Sequence, residues 1–392
     1  MQTTINLLSI LAGAAIGYIA GGDFLPYAHA ASDIFVRIIR FLAVPLIFFS
    51  LLSTILTTGN SKDVRSLFGH TLKYTVGTTT VAAIIALITY KILDPISGST
   101  PPSCGEGVTS NISYLDSFAN IVPSNILDIF LTNNIAGAVI LAVIFGFFGK
   151  KILPELQKSL ASGISALSEM FLLLAQYTVK FLPAFLWAFM VIFVQDLKKG
   201  FVIGNTLIFL IALIVANLIH ALIFLPLLLR KNGISATETI KASLPALSVA
   251  FFTKSSNIAI PSSLKVCEKL KIKPFISRFT IPVCATINMN GCGIFIFLAT
   301  TFMTEVFVNP MEWWQYIVCI ATATLVAIGN AGVPMGCFFL TTSLLAIIGT
   351  PTYLMGVLLP VFMILDMLET TVNVWSDIVI TRCINKKMSN LE

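Results

Sequence analysis

The segment VFMILDMLETTVNVWSDIVITRC places Asp366, Glu369, Asn373 and Asp377 at successive spacings of three, four and four residues. A helix turning about 100° per residue gathers them, with Thr370, into an arc of about 80°; from Asp366 to Asp377 the rise is about 16 Å, half the thickness of a bilayer's hydrocarbon core. The surrounding residues are apolar. Three acids on one stripe of such a segment cannot face lipid, because each would cost a few kcal/mol at the centre of a membrane. The plain alternative is a helix end where acids meet water or structural partners. Intramembrane acids are functional by default, so the reading adopted is a polar stripe that binds cations and an ammonium group.

A second constellation precedes it. In ATINMNGCGIF, Asn288 and Asn290 followed by Gly291 and Gly293 mark a locally weak or unwound helix. Its freed carbonyls suit a hard cation such as Na⁺. Taken alone, the same residues are also compatible with packing glycines and interhelical asparagine hydrogen bonds. The three histidines, His29, His70 and His220, lie far apart in the sequence. No Ser-His-Asp or metal spacing links them to the acids, so the chain is read as not an enzyme. His220 is expected to be a hydrogen-bonded interhelical residue.

The elements that must position these groups follow from composition. Of 392 residues, 57% are hydrophobic and 11% charged, against about 25% charged in soluble domains. Mean hydropathy is +0.93. The reading is an all-α polytopic membrane protein. The formal charge of +6 fits basic residues kept in cytoplasmic loops, and with no like-charge block in the chain, nucleic acid is excluded as a partner. The seven cysteines are scattered and never spaced C-x-x-C, which argues against a disulfide framework or a metal cage. Leu7–Gly21 is read as a first span, not a cleaved signal.

Apolar runs at about 6–22, 34–56, 68–93, 126–149, 164–195 and 201–229 are each long enough to span, the fifth only if tilted or bent. Lys62, Arg65, Lys150, Lys151, Lys158, Arg230 and Lys231 fall in alternate loops, so both termini are expected in the cytoplasm; Lys198 and Lys199 dissent. Short loops and tails point to a prokaryotic inner (plasma) membrane protein among membrane lipids. The second half differs. About 236–264 and 313–350 carry small residues, an Asn and a Pro at the centre of an apolar segment. Two such interruptions read as re-entrant hairpins from opposite sides, each followed by a span, at about 275–305 and 352–383.

Six motifs in order resemble the dicarboxylate/amino-acid:cation symporters, which include the glutamate transporters and the bacterial sodium/serine-threonine symporter. They are VRIIRFLAVPLIF, IVPSNILDIFLTNN, KSSNIAIP, INMNG, GNAGVP and D-x-x-E-T-x-x-N-x-x-x-D. The resemblance implies a glutamate-transporter-like inverted-repeat (elevator) architecture of eight transmembrane helices plus two re-entrant hairpins, assembled as a homotrimer. Scaffold spans 1–2 (1–67) and 4–5 (126–195, trimerisation) would hold a transport domain made of span 3 (68–93) and residues 201–392.

It further implies one sodium site at Asp377, Asn373, Asn288 and Cys284, and a second at Thr286, Met289, Ala327, Ile328 and Asn330. A third would use Asn288 and Asn290 with Thr78 and Thr79. Substrate contacts would come from Ser255, Ser256 and Val333 at the hairpin tips, with Cys292, Asp366, Thr370 and Asn373.

The departures from the family pattern bear on substrate. NMDGT of the acidic-amino-acid transporters is NMNGC here, so the third cation site loses a formal charge. Where those transporters place an Arg that grips a side-chain carboxylate, this chain has Glu369, as the serine/threonine symporter does. A Glu⁻ there repels an acidic side chain. Lys254, at the first hairpin's tip, is expected either to neutralise Glu369 or to form an altered side-chain pocket with it. The expected function is cation-coupled import of a small neutral amino acid, with Na⁺ or H⁺ as coupling ion. The competing readings are a glutamate/aspartate or dicarboxylate symporter gripping through Lys254, and a channel-like anion conductor.

Overall fold

A computed structural model describes residues 2–57, 62–96, 125–132, 135–181, 183–198, 203–307, 310–330, 335–348 and 353–389. Among these there is no strand. The helices are α1 (Gln2–Thr57), α2 (Lys62–Leu93), α3 (Asp128–Leu131), α4 (Ile135–Gly149), α5 (Pro154–Phe181), α6 (Pro183–Lys198) and α7 (Ile203–Ile219). After a π-helical turn (His220–Phe224) come α8 (Leu225–Lys231), α9 (Ala236–Thr253), α10 (Ser256–Lys269), α11 (Pro274–Ile287), α12 (Asn290–Phe307), α13 (Trp313–Ile328), α14 (Gly336–Ile348) and α15 (Tyr353–Ser389). Among the described residues, four stretches are long and apolar enough to cross a membrane: Ser66–Leu93, Pro154–Ala175, Thr206–Lys231 and Pro274–Val306. Shorter apolar helices lie within three other expected spans, at Leu8–Ala20, Val44–Thr57 and Gly137–Gly149.

The first element is not one straight rod. Ser9 donates to the carbonyl of Pro183 at 2.5 Å, and Phe35 stacks on Phe185 with ring centroids 5.1 Å apart. Along a straight helix Ser9 and Phe35 would stand about 39 Å apart. Both reach the start of α6, so α1 folds back on itself, at the non-helical Ala20 (φ −126°, ψ 25°). This kink also explains the dissenting Lys198. Its ammonium donates to the carbonyls of Tyr18 (2.7 Å) and Gly17 (3.4 Å), next to the break.

Over the expected fifth span, 164–195, read as tilted or bent, the described residues form two helices, α5 up to Phe181 and α6 from Pro183. Proline at 183 cannot donate the backbone bond that would continue α5.

Two groups of helices pack internally. One is α1 with α4, α5 and α6; the other is α2 with α7 and α9 to α15, and contacts of α1 with α14, α4 with α13 and α6 with α15 join them. Within the second group the ends of α2 serve as reference points. Near its start, Tyr74 reaches Asn232 just before α9 (3.5 Å); at its end, Lys91 donates to the hydroxyl of Tyr316 on α13 (2.5 Å). Those two positions on α2 are about 25 Å apart. Buried Glu305 of α12 fixes the second end, accepting from Tyr90 (2.8 Å) and from Tyr316. Arg382 of α15 fixes the first, bonding to Glu238 at 2.6 Å and to Thr239 of α9. The α9–α10 and α13–α14 hairpins therefore have their bases at opposite ends of α2.

A Cβ on Gly13 would lie 2.4 Å from the carbonyl oxygen of Trp187. Gly13→Leu is expected to cost about 1–3 kcal/mol through overpacking of α1 on α6, read as a lower unfolding midpoint of the purified protein. Gly22→Leu, where a Cβ meets nothing within 4 Å, serves as the control.

Candidate functional site

The site assembles on α15, whose 37-residue helix carries the acid stripe at its middle. Asp366, Glu369, Thr370, Asn373 and Asp377 are all buried, each 6% exposed or less. The expectation that the stripe turns away from lipid holds in this fold. Opposite it, the α11–α12 pair breaks at Asn288 (φ −97°, ψ 80°) and Met289. The sequence reading spread the weak point over Asn288, Asn290, Gly291 and Gly293; the break falls at its first residue, and Gly291 and Gly293 lie inside α12. Their role is close approach. A Cβ on Gly291 would sit 2.8 Å from the Cα and carbonyl oxygen of Glu369, and one on Gly293 would sit 2.9 Å from Thr79 Cγ2. The backbone of α12 thus lies directly against α15.

Polar side chains at the break then pair across this contact. Asn288 Nδ2 donates to Asp377 Oδ1 at 2.8 Å, and the amide of Gly291 donates to Asn373 Oδ1 at 2.8 Å. Asn290 is the centre of a buried neutral network. Its Oδ1 accepts from Thr79 (2.8 Å) and Thr78 (3.3 Å), and its Nδ2 bonds to Ser376 Oγ (2.6 Å) and His220 Nε2 (3.1 Å). The structure therefore brings Thr78, Thr79, Asn288 and Asn290 together. It adds two residues that sequence reasoning did not place at the site, Ser376 and His220. Ser376 directly precedes Asp377, and His220 opens a π-turn, a local irregularity frequent at functional positions.

Around Glu369 the partners are sulfur. Cys337 Sγ donates to Glu369 Oε2 at 3.0 Å and stands 2.9 Å from Cys292 Sγ, which accepts from Asn330 Nδ2 at 2.9 Å. Asn373 Nδ2 is 3.7 Å from Cys292 Sγ and 3.4 Å from Met289 Sδ. Cys337 was missed from the sequence, since a lone cysteine in an apolar run gives no signal. Of the two expectations for Lys254, the ion pair with Glu369 is not formed: among the described residues none joins them. Lys254 sits between α9 and α10 in the left-handed region (φ 54°), which redirects the chain in one residue.

Ser255 follows as the N-cap of α10, accepting from the amide of Ile258 at 3.4 Å, with Ser256 buried behind it. Met335, just before α14, has a similar left-handed φ of 58°. From the first turn of α14, Cys337 reaches Glu369 on the acid stripe. Val333 lies outside the described residues.

The remaining predicted ligands are backbone positions at helix ends. Cys284 and Thr286 lie in the last turn of α11, Ala327 and Ile328 in the last turn of α13, and Asn330 just beyond it. The α11 and α13 helices are in contact, and the last residue of each, Ile287 and Ile328, lines one cavity. Three buried oxygens on or near the stripe have no hydrogen-bond partner: Asp366 Oδ2, Glu369 Oε1 and Asn330 Oδ1. Chemically, the arrangement offers carboxylate and carbonyl oxygens to cations and ammonium groups. The cavity, of about 390 Å³, runs between the two helix groups, lined by Leu51, Ile55, Phe68, Ile287 and Ile328 with Lys150 and Lys151.

Asn288→Ala would leave the Asp377 carboxylate without its side-chain donor. The expected cost is about 1.5–3 kcal/mol, read as a lower thermal midpoint in detergent. The double variant with Asp377→Asn should recover part of it, because the charge left stranded is then gone.

Comparison with known proteins gives the family. The model of the sodium:dicarboxylate symporter family matches residues 3–387. The chain is 26% identical to the proton/sodium-glutamate symport protein of Bacillus caldotenax, over 93% of this chain and 90% of that one. It is 25% identical to the proton/glutamate-aspartate symporter of Escherichia coli K12, over 88% and 81%. It is 27% identical to the human neutral amino acid transporter A, over 95% and 79%. With its match running nearly end to end, the chain belongs to the sodium:dicarboxylate symporter family, a family of membrane transporters.

Proposed function

We propose that this chain imports a small neutral amino acid of the serine, threonine or alanine kind, driven by a cation gradient, with Na⁺ as the first candidate and H⁺ as the second. The observation that carries the substrate assignment is Glu369. It is 1% exposed and touches Cys337, and among the described residues no basic side chain pairs with it. A substrate carboxylate placed there would meet like charge in a water-poor pocket. The curated relatives name both glutamate symport and neutral amino acid transport, so membership of the family leaves this choice to the site.

Cation binding is assigned to Asp377 with Asn373, Asn288 and Cys284, to the ends of α11 and α13, and more weakly to the Thr78–Thr79–Asn288–Asn290 cluster. That last cluster is neutral, with the Asn290 amide already engaged on both sides. Asp366, whose Oδ2 is open, would take the substrate's ammonium group. Ser255, Ser256, Val333, Cys292, Thr370 and Asn373 would complete the pocket.

The two hairpins are the gates of an elevator in which the α2 and α7–α15 group moves against the α1 and α4–α6 group. The separation of packing into two groups with a cavity between them supports this. Closure must be favoured only when cation and substrate are both bound. The window Pro154–Ala175 is only 6% buried within a single chain, which supports α5 as the contact of a homotrimer. The termini are placed in the cytoplasm of a prokaryotic inner membrane.

In proteoliposomes with an imposed cation gradient, serine and alanine should be accumulated and should compete with each other. Saturable aspartate uptake that they fail to inhibit would overturn the substrate assignment. Asp377→Asn is expected to abolish cation-driven accumulation, and normal sodium-dependent uptake by that variant would remove Asp377 from the cation site. Glu369→Arg should shift preference toward acidic substrates by at least about tenfold, or about 1.4 kcal/mol.

A further inference from the structure

Cys292, Cys337 and Glu369 each present a ligand atom within 4.8 Å of the others, and all three are buried. They come from three different helices: Cys292 from the first turn of α12, Cys337 from the first turn of α14 and Glu369 from the middle of α15. Their hydrogen bonds leave unused capacity. Glu369 Oε1 has no partner, and neither does the Oδ1 of Asn330, whose amide nitrogen lies 2.9 Å from Cys292 Sγ. The amide packs against Gly336, where a Cβ would lie 1.5 Å from that Oδ1. Rotation of the amide by half a turn presents its oxygen to the sulfur instead.

We propose that these residues form a site for a soft divalent cation of the zinc type, with two thiolates and one carboxylate as ligands and the Asn330 amide oxygen as the fourth. Two sulfurs select zinc-like ions over Na⁺, Mg²⁺ or Ca²⁺, which prefer all-oxygen shells. Four ligands satisfy the tetrahedral geometry of zinc. With Zn–S bonds of about 2.3 Å, two ligating sulfurs stand about 3.8 Å apart, so the pair must open by about 1 Å from its 2.9 Å. Each bound ion displaces the two thiol protons, which leave to solvent, and no electrons are transferred. Binding ties the second hairpin's returning arm, α14, to α12 and α15. The proposal does not depend on the transport reading, because its test is binding to the purified protein.

The test uses the full-length protein in detergent, kept under a non-thiol reductant and titrated with Co²⁺ as the spectroscopic probe. The expected result is sulfur-to-cobalt charge-transfer absorption with the visible bands of a tetrahedral ion, displaced by Zn²⁺. Cys337→Ala should weaken binding by at least about tenfold, although Cys267, Cys284, Cys319 and Cys383 remain as free thiols. Cys292→Ser and Glu369→Gln provide independent variants should one fail to fold, and each must also lower affinity. A wild-type protein without thiolate–cobalt absorption, or unchanged absorption in folded Cys337→Ala, would overturn the proposal.

Discussion

A carboxylate taken out of water must find donors or an opposing charge, and α15 takes three out of water on one face. The rest of the second helix group is arranged around that requirement. A regular helix has no free backbone donors along its length, so the helices facing the stripe must be broken, or must carry side-chain amides and thiols. Both solutions occur. The α11–α12 pair breaks at Asn288 and supplies that residue's amide to Asp377, while Cys337, at the start of α14, supplies its thiol to Glu369. Asp366 keeps one oxygen, Oδ2, without a partner.

Close approach makes these bonds possible. A side chain as small as alanine at Gly291 would press on the backbone of α15, so the glycine sets the distance at which Asn288, the Gly291 amide and Asn373 can meet. Apolar packing then fixes the arrangement. Phe295 and Phe338 both pack on Phe362, one turn before Asp366. The polar site is thus bounded on one side by a close-packed aromatic cluster in which small displacements are costly. The oxygens left open, on Asp366, Glu369 and Asn330, are those available to something the chain does not itself supply.

The Asn290 network has a related logic. An acid at this position would add a buried charge needing further donors; the amide here is satisfied by two threonines, a serine and a histidine. The family membership is compatible with either residue, since the fold is set by helix packing and not by this one charge.

The sequence alone determined the all-helical class, the acid stripe and the two interrupted segments. Each depends on spacing along a single helix or on local composition, and those are properties of neighbouring residues. Hairpin limits near 236–264 and 313–350 were legible because Ser, Asn, Pro and Gly in an apolar run have a local meaning. The reversal of α1 at Ala20 and the division of the fifth expected span into α5 and α6 were only partly legible, since helix continuity depends on what packs alongside. Tertiary structure alone decided which partner each buried group received. Cys337 joins Cys292 and Glu369 from 45 and 32 residues away. A buried charge selects its partner by distance in space, and a left-handed residue or a missing Cβ sets that distance only once the helices have docked.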